Sequence, residues 1–77
     1  MHEFTIGQWA KVLPPFDDAH PEVYRVVAVV AYDDPDTPEG VIDQTVSLAV
    51  PGHEEARDFA NKWLELADEP VVVPGVI

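Results

Sequence analysis

The most informative pattern in this sequence is the apolar run over residues 23–32, which reads VYRVVAVVAY. It contains five valines and one charged residue, Arg25. Branched and aromatic side chains pack well on a pleated surface, so the run predicts a β-strand. Because its odd and its even positions are both apolar, we expect a central strand that is covered on both faces.

Two neighbouring segments alternate between apolar and polar residues and predict strands of their own. Residues 3–12 form the first, and residues 41–50 form the other, in which Gln44 interrupts an otherwise apolar face. Residues 33–40 between two of these strands are rich in Asp, Pro and Gly, which predicts a turn-rich loop. We therefore expect residues 23–32 and 41–50 to pair as an antiparallel hairpin. Residues 13–21 contain three prolines and predict a connection that Phe16 anchors to the domain.

Residues 53–68 carry the strongest helical pattern in the chain. Alanines and one tryptophan recur at the spacing of a helix face, and acidic residues occupy the opposite side. Trp63 is expected to fill the interface between this helix and the sheet. Pro70 ends the pattern, and the apolar residues 71–77 predict an edge strand or an extended tail, because Pro74 cannot donate to a ladder.

These elements predict an α+β fold in a single domain, since 77 residues leave no room for a second. The expected architecture is a small, mainly antiparallel sheet of three to four strands, in the chain order β-β-β-α-β, with one amphipathic helix packed on one face. The chain has no cysteine and no apolar run of the roughly 20 residues that a membrane helix needs. A cytoplasmic protein without membrane contact is the expectation from this composition.

Charge is the strongest functional signal in the composition. Fifteen acidic residues against four basic ones give a formal net charge of −11, which repels nucleic acid and attracts basic partners. Carboxylates spaced like the phosphates of a duplex could also mimic nucleic acid toward a basic groove. The simpler alternative is an ordinary solvated face. The acidic surface expected to bind a partner comprises Glu54, Asp58, Glu65, Asp68, Glu69, Asp33, Asp34 and Asp36.

A single helix covers one face of the predicted sheet and leaves the other face apolar. Large exposed apolar patches usually mark contacts, so a homodimer is expected. Its predicted interface comprises Trp9, Tyr24, Val76 and Ile77. If this interface rather than the acidic surface carries the function, the protein is a structural or assembly subunit.

The sequence offers little material for catalysis or metal binding. Ser47 is the only serine and lies in mid-strand, and the three histidines lack the spacing of metal ligands. The acidic loop fails the pattern of an EF-hand calcium site, since counting from Asp34 puts Glu39 at the sixth position, where glycine is required. Weak cation binding there is a trailing alternative. We therefore expect no enzyme, no metal and no cofactor, but a small accessory or inhibitor protein, of a kind that phages and mobile elements encode, that binds a basic protein partner.

Overall fold

The computed structural model describes residues 2–71 and is built from β-strands. The helical segments within that range are two 3-10 helices of three residues each. The strands are β1 (Trp9–Val12), β2 (Val23–Ala31), β3 (Gln44–Ala49), β4 (Arg57–Ala60) and β5 (Leu64–Ala67), and the 3-10 helices span Phe16–Asp18 and Asn61–Trp63.

The five strands form one antiparallel sheet in the spatial order β4-β3-β2-β1-β5. The predicted pairing of residues 23–32 with 41–50 is confirmed, because β2 and β3 pair from Arg25 opposite Ala49 to Ala31 opposite Gln44. Their register shifts between Val26 and Ala28, which marks a bulge. The expected central position of β2 is also confirmed, since two strands lie on each side of it.

The sheet curls into an open barrel. In a flat sheet, β4 and β5 would lie about 19 Å apart, because neighbouring strands are about 4.8 Å apart. The only link between these two strands is the 3-10 helix Asn61–Trp63, and three residues of 3-10 helix advance only about 6 Å. The two edge strands must therefore turn toward each other, and the concave face of the sheet encloses the core.

The core consists of aliphatic and aromatic side chains on that concave face. Its buried members are Phe4, Ala10, Val12, Tyr24, Val26, Val46, Leu48, Val50 and Leu64. The convex face of β2 stays open, since Val27 and Val30 are exposed. The expectation that β2 is covered on both faces is therefore wrong for the isolated chain.

The predicted α+β fold is wrong, because residues 53–68 form no α-helix. They form instead an exposed connection, strand β4, a 3-10 helix and strand β5. Residues 2–71 contain five strands rather than the three or four expected.

Local energetics explain why residues 53–68 form two strands rather than the predicted α-helix. Two like-charged pairs, Glu54 with Asp58 and Glu65 with Glu69, would stand four residues apart on a helix, and each pair costs about 0.2–0.5 kcal/mol. Asp68 and Glu69 would also oppose the helix dipole at its C-terminus. The alanine-rich stripe would bury little area, whereas the two strands bury Leu64 and complete ladders with β3 and β1.

The N-terminal strand is shorter than predicted. Residues 3–12 do not form one continuous strand, because the chain turns at Ile6 and Gly7 before β1 begins at Trp9. Gly7 has a φ of 97°, which side-chain-bearing residues rarely adopt. Its N–H donates to the carbonyl of Val26 at 2.9 Å, which ties this turn to β2. The C-terminal prediction falls mainly on residues 72–77, which lie outside the described range.

A buried amide network holds the N-terminal segment against the barrel. The Gln44 side chain accepts from the Phe4 N–H at 3.0 Å through Oε1 and donates to the Phe4 carbonyl at 2.8 Å through Nε2. Asn61 Nδ2 donates to Gln44 Oε1 at 2.8 Å and to the His2 carbonyl at 2.6 Å. Gln44 therefore satisfies both backbone groups of a buried residue, as a neighbouring strand would.

Candidate functional site

The acidic side chains are almost all displayed to solvent. All fifteen lie within residues 2–71; fourteen are exposed and Asp17 is half-buried. Among these described residues, no carboxylate lies within 4.0 Å of a lysine or arginine nitrogen. The negative charge is therefore not neutralised by ion pairs within the described residues.

The basic side chains find other neighbours. Arg57 Nη2 lies 3.0 Å from His53 Nδ1, and Lys62 Nζ lies 5.2 Å from the centre of the Trp63 ring. Lys11 stands opposite Glu65 across the β1–β5 ladder without closing an ion pair. The basic residues therefore offset little of the negative electrostatic potential that the acidic residues produce.

The predicted acidic surface is arranged differently from a helix face. Asp58 lies on β4 and Glu65 on β5, Glu54 lies in the exposed connection before β4, and Asp68 and Glu69 follow β5. The structure therefore places these residues on separate strands and connections around the barrel.

The remaining predicted acids lie in the connection between β2 and β3. Asp34 orders this loop, because its Oδ1 accepts from the N–H of Asp36 at 2.9 Å and its carbonyl accepts from the N–H of Thr37 at 3.0 Å. Asp33 is exposed beside them. This is a self-satisfied turn whose carboxylates face solvent.

The residues expected at a dimer interface have mixed positions. Trp9 is half-buried and stands in register between Arg25 of β2 and Ala67 of β5. Tyr24 is 4% exposed and belongs to the core, so its side chain is not presented at the surface of the protomer. Val76 and Ile77 lie outside the described residues.

An aromatic cleft lies beside β4, and we define it by its lining residues. The cavity has a volume of about 250 Å³ and is lined by Phe16, Asp58, Phe59, Ala60 and Trp63. Phe16 and Trp63 meet edge to face with ring centres 5.2 Å apart. The Leu13 N–H donates to the Trp63 carbonyl at 2.8 Å, which ties the segment before Phe16 to Trp63. Phe16 thus packs its loop on the barrel, as expected, yet remains 44% exposed.

One carboxylate lines this aromatic cleft, and two more follow one of its lining residues in the chain. Asp58 lies in its wall, and the Ser47 hydroxyl donates to Asp58 Oδ1 at 2.6 Å. Asp17 and Asp18 follow Phe16 directly in the first 3-10 helix. On the inner side, His20 meets the Phe59 ring edge-on at 5.3 Å. The cleft therefore combines an apolar floor with a negative rim.

The described residues give no geometry for metal chemistry. Within residues 2–71, no three His, Asp or Glu side chains come together in a way that could hold a metal ion. The same range contains no helix long and apolar enough to cross a membrane.

No protein-family model, no curated protein and no solved structure matches the chain.

Sequence reasoning missed the residues that shape the site. Phe59 and Trp63 were assigned to a helix rather than to a cleft, and Asn61 was not recognised as buried. Gln44 did leave a signal, because a polar residue on the apolar face of a predicted strand indicates a buried hydrogen-bonding role. No comparable signal in the sequence predicted the contact between Phe16 and Trp63, which are 47 positions apart in the chain.

Proposed function

We propose that this is a non-enzymatic interaction protein that binds a basic protein partner through its acidic surface. The observation that carries the proposal is the display of fourteen exposed carboxylates without one ion pair among the described residues. Unpaired surface charge destabilises the compact state through self-repulsion, and a basic partner relieves that repulsion. An accessory or inhibitor protein of the cytoplasm, encoded by a phage or mobile element, fits this size and charge, and so does a nucleic-acid mimic.

The experiment is capture from nuclease-treated host lysate, with elution in salt steps and identification by mass spectrometry. The immobilised baits are the wild type and a variant with Glu54→Lys, Asp58→Lys and Glu65→Lys. A matched control reverses three other exposed acids, with Glu3→Lys, Glu22→Lys and Glu39→Lys, and so changes the net charge equally. All six side chains are exposed, so both variants should fold.

The proposal expects a basic protein that elutes as salt rises, is lost from the first variant and is retained by the control. Equal loss from both variants would show that net charge rather than this surface matters. A partner retained by both variants and resistant to salt would contradict the proposal, because electrostatic attraction between exposed groups is screened by salt.

A second candidate function is assembly with a further copy of the chain. The observation in its favour is the open convex face of the sheet, where Val30 is 54% and Tyr32 is 52% exposed. Burying an apolar side chain of this size contributes about 1.5–3 kcal/mol. Light scattering over a range of protein concentrations checks this candidate: it expects a dimer that Val30→Asp converts to a monomer, and a monomer throughout the range would contradict it.

A further inference from the structure

We propose that the aromatic cleft binds an extended segment of the basic partner in which arginines alternate with apolar residues. This inference rests on the proposed function and adds to it the site and the chemistry of the bound segment. It depends on three features that meet at the cleft: an aromatic floor, an acidic rim and the edge of β4 that is unpaired within residues 2–71.

The aromatic floor is suited to apolar side chains and to planar cations. Phe16 is 44% exposed and Trp63 is half-buried, and their edge-to-face contact at 5.2 Å leaves ring surface open to solvent. Arginine stacks well on such rings, because its planar guanidinium is weakly hydrated and is attracted to the electron-rich face. Lys62 of the same chain already lies 5.2 Å from the centre of the Trp63 ring, so this ring accepts a cation.

The acidic rim supplies the charge that selects arginine over a neutral side chain. The Ser47 hydroxyl donates a hydrogen bond to Asp58 Oδ1 at 2.6 Å and so orients this carboxylate at the cleft wall. Asp17 and Asp18 follow Phe16 in the same 3-10 helix and add two carboxylates to this part of the chain. Lys62 and Arg57 are the basic residues next to lining residues in the chain, and they leave three carboxylates against two cations. A planar guanidinium also matches the paired oxygens of a carboxylate.

The free edge of β4 favours an extended conformation for the bound segment. β4 is the outermost strand of the sheet and pairs with β3 on one side only. Within residues 2–71, its other edge forms no backbone ladder. An unpaired edge is a template for an added strand, and successive side chains of such a strand point to opposite faces. Arginines at alternate positions could therefore face the rim while apolar residues contact the floor.

The test uses the intrinsic fluorescence of Trp63 in a Trp9→Phe background, which leaves one tryptophan in the chain. The probe is a capped peptide of alternating arginine and leucine. One comparison peptide replaces each leucine by serine and keeps the charge, and another replaces each arginine by glutamine and keeps the apolar residues. Phe16→Ala removes part of the floor, and Tyr32→Ala is the matched control, since Tyr32 is also an exposed aromatic residue but does not line the cleft.

The proposal expects the arginine–leucine peptide to bind at least about tenfold more tightly than either comparison peptide. Phe16→Ala should weaken that binding by about tenfold, as truncation of an interface aromatic residue typically does, while Tyr32→Ala should leave it unchanged.

If the arginine–serine peptide binds as tightly as the arginine–leucine peptide and Phe16→Ala does not weaken its binding, the proposed binding at the cleft is refuted. The proposed function of the acidic surface is not affected by that result. Absence of binding by all three peptides would also overturn the cleft, and the lysate capture would then decide the proposed function separately. Self-association that Phe16→Ala abolishes would assign the cleft to a second copy of the chain and overturn the proposal.

Discussion

Gln44→Met tests whether one buried side chain holds the N-terminal segment in place. Methionine has nearly the length and volume of glutamine, so the change removes hydrogen bonds with little change in packing. Gln44 is 4% exposed and Phe4 is 1% exposed, so water cannot replace the lost bonds without local opening.

The magnitude follows from the groups left without partners. The substitution orphans the N–H and the carbonyl of Phe4, and also removes one acceptor of Asn61 Nδ2, which keeps its bond to the His2 carbonyl. A buried polar group without a partner costs about 1–3 kcal/mol. Two such groups predict a loss of about 2–6 kcal/mol. For a domain of this size, each kcal/mol lowers Tm by about 4–8 °C, so we expect a fall of at least about 8 °C.

The assay is urea denaturation followed by circular dichroism, combined with hydrogen exchange of the Phe4 amide. Thr45→Val is the matched control on the next residue, because the Thr45 hydroxyl bonds only to Tyr32 Oη in an exposed position. This control should change the free energy of unfolding by less than about 0.5 kcal/mol. The reasoning is refuted if Gln44→Met costs no more than the control and the Phe4 amide stays protected from exchange.

Three further predictions concern the turn, the core and the surface charge. Gly7→Ala should lower the free energy of unfolding by about 1–2 kcal/mol through backbone strain alone, because φ is 97° and no atom lies within 4 Å of the added Cβ. Chemical denaturation measures this loss, and an unchanged denaturation midpoint would contradict the positive φ at Gly7. Leu48→Ala should cost about 2–5 kcal/mol in the same assay because the side chain is fully buried, and a loss below 1 kcal/mol would contradict its place in the core. Added NaCl should raise Tm by screening the unpaired acids, whereas a lower Tm would indicate that attractive ion pairs stabilise the fold.

The centre of the sheet could be predicted from the sequence because its signals are local and dense. Five valines in ten residues identified β2, and the alternation around Val46 and Leu48 identified β3. The loop between them is rich in turn-forming residues, so their antiparallel pairing followed. The face exposed by β2 could not be predicted, because an apolar strand does not show whether a second layer covers it.

The C-terminal half of the described barrel could not be predicted because its strands are short and their partners are distant in sequence. β4 and β5 have four residues each, too few to establish an alternating pattern against a helical one. Ala56, Ala60, Trp63 and Ala67 fit a helix face by spacing alone. Pairing with β3 and β1 decides the outcome, and this non-local contribution is absent from any short window.

The cleft was beyond prediction for the same reason. It joins Phe16, in a proline-rich connection, to Trp63, at the end of a 3-10 helix, and only the closure of the barrel brings them together. The surface location of the acids, by contrast, could be predicted from composition, since carboxylates are rarely buried without partners.

The most direct test of the central claim is the dissociation constant of the captured partner at about 50 mM and about 500 mM NaCl. If exposed, unpaired carboxylates carry the binding, the constant should rise at least about tenfold between these concentrations. The variant with Glu54→Lys, Asp58→Lys and Glu65→Lys should bind more weakly and with a smaller salt dependence. A constant that is the same at both concentrations, and the same for this variant, would contradict the account.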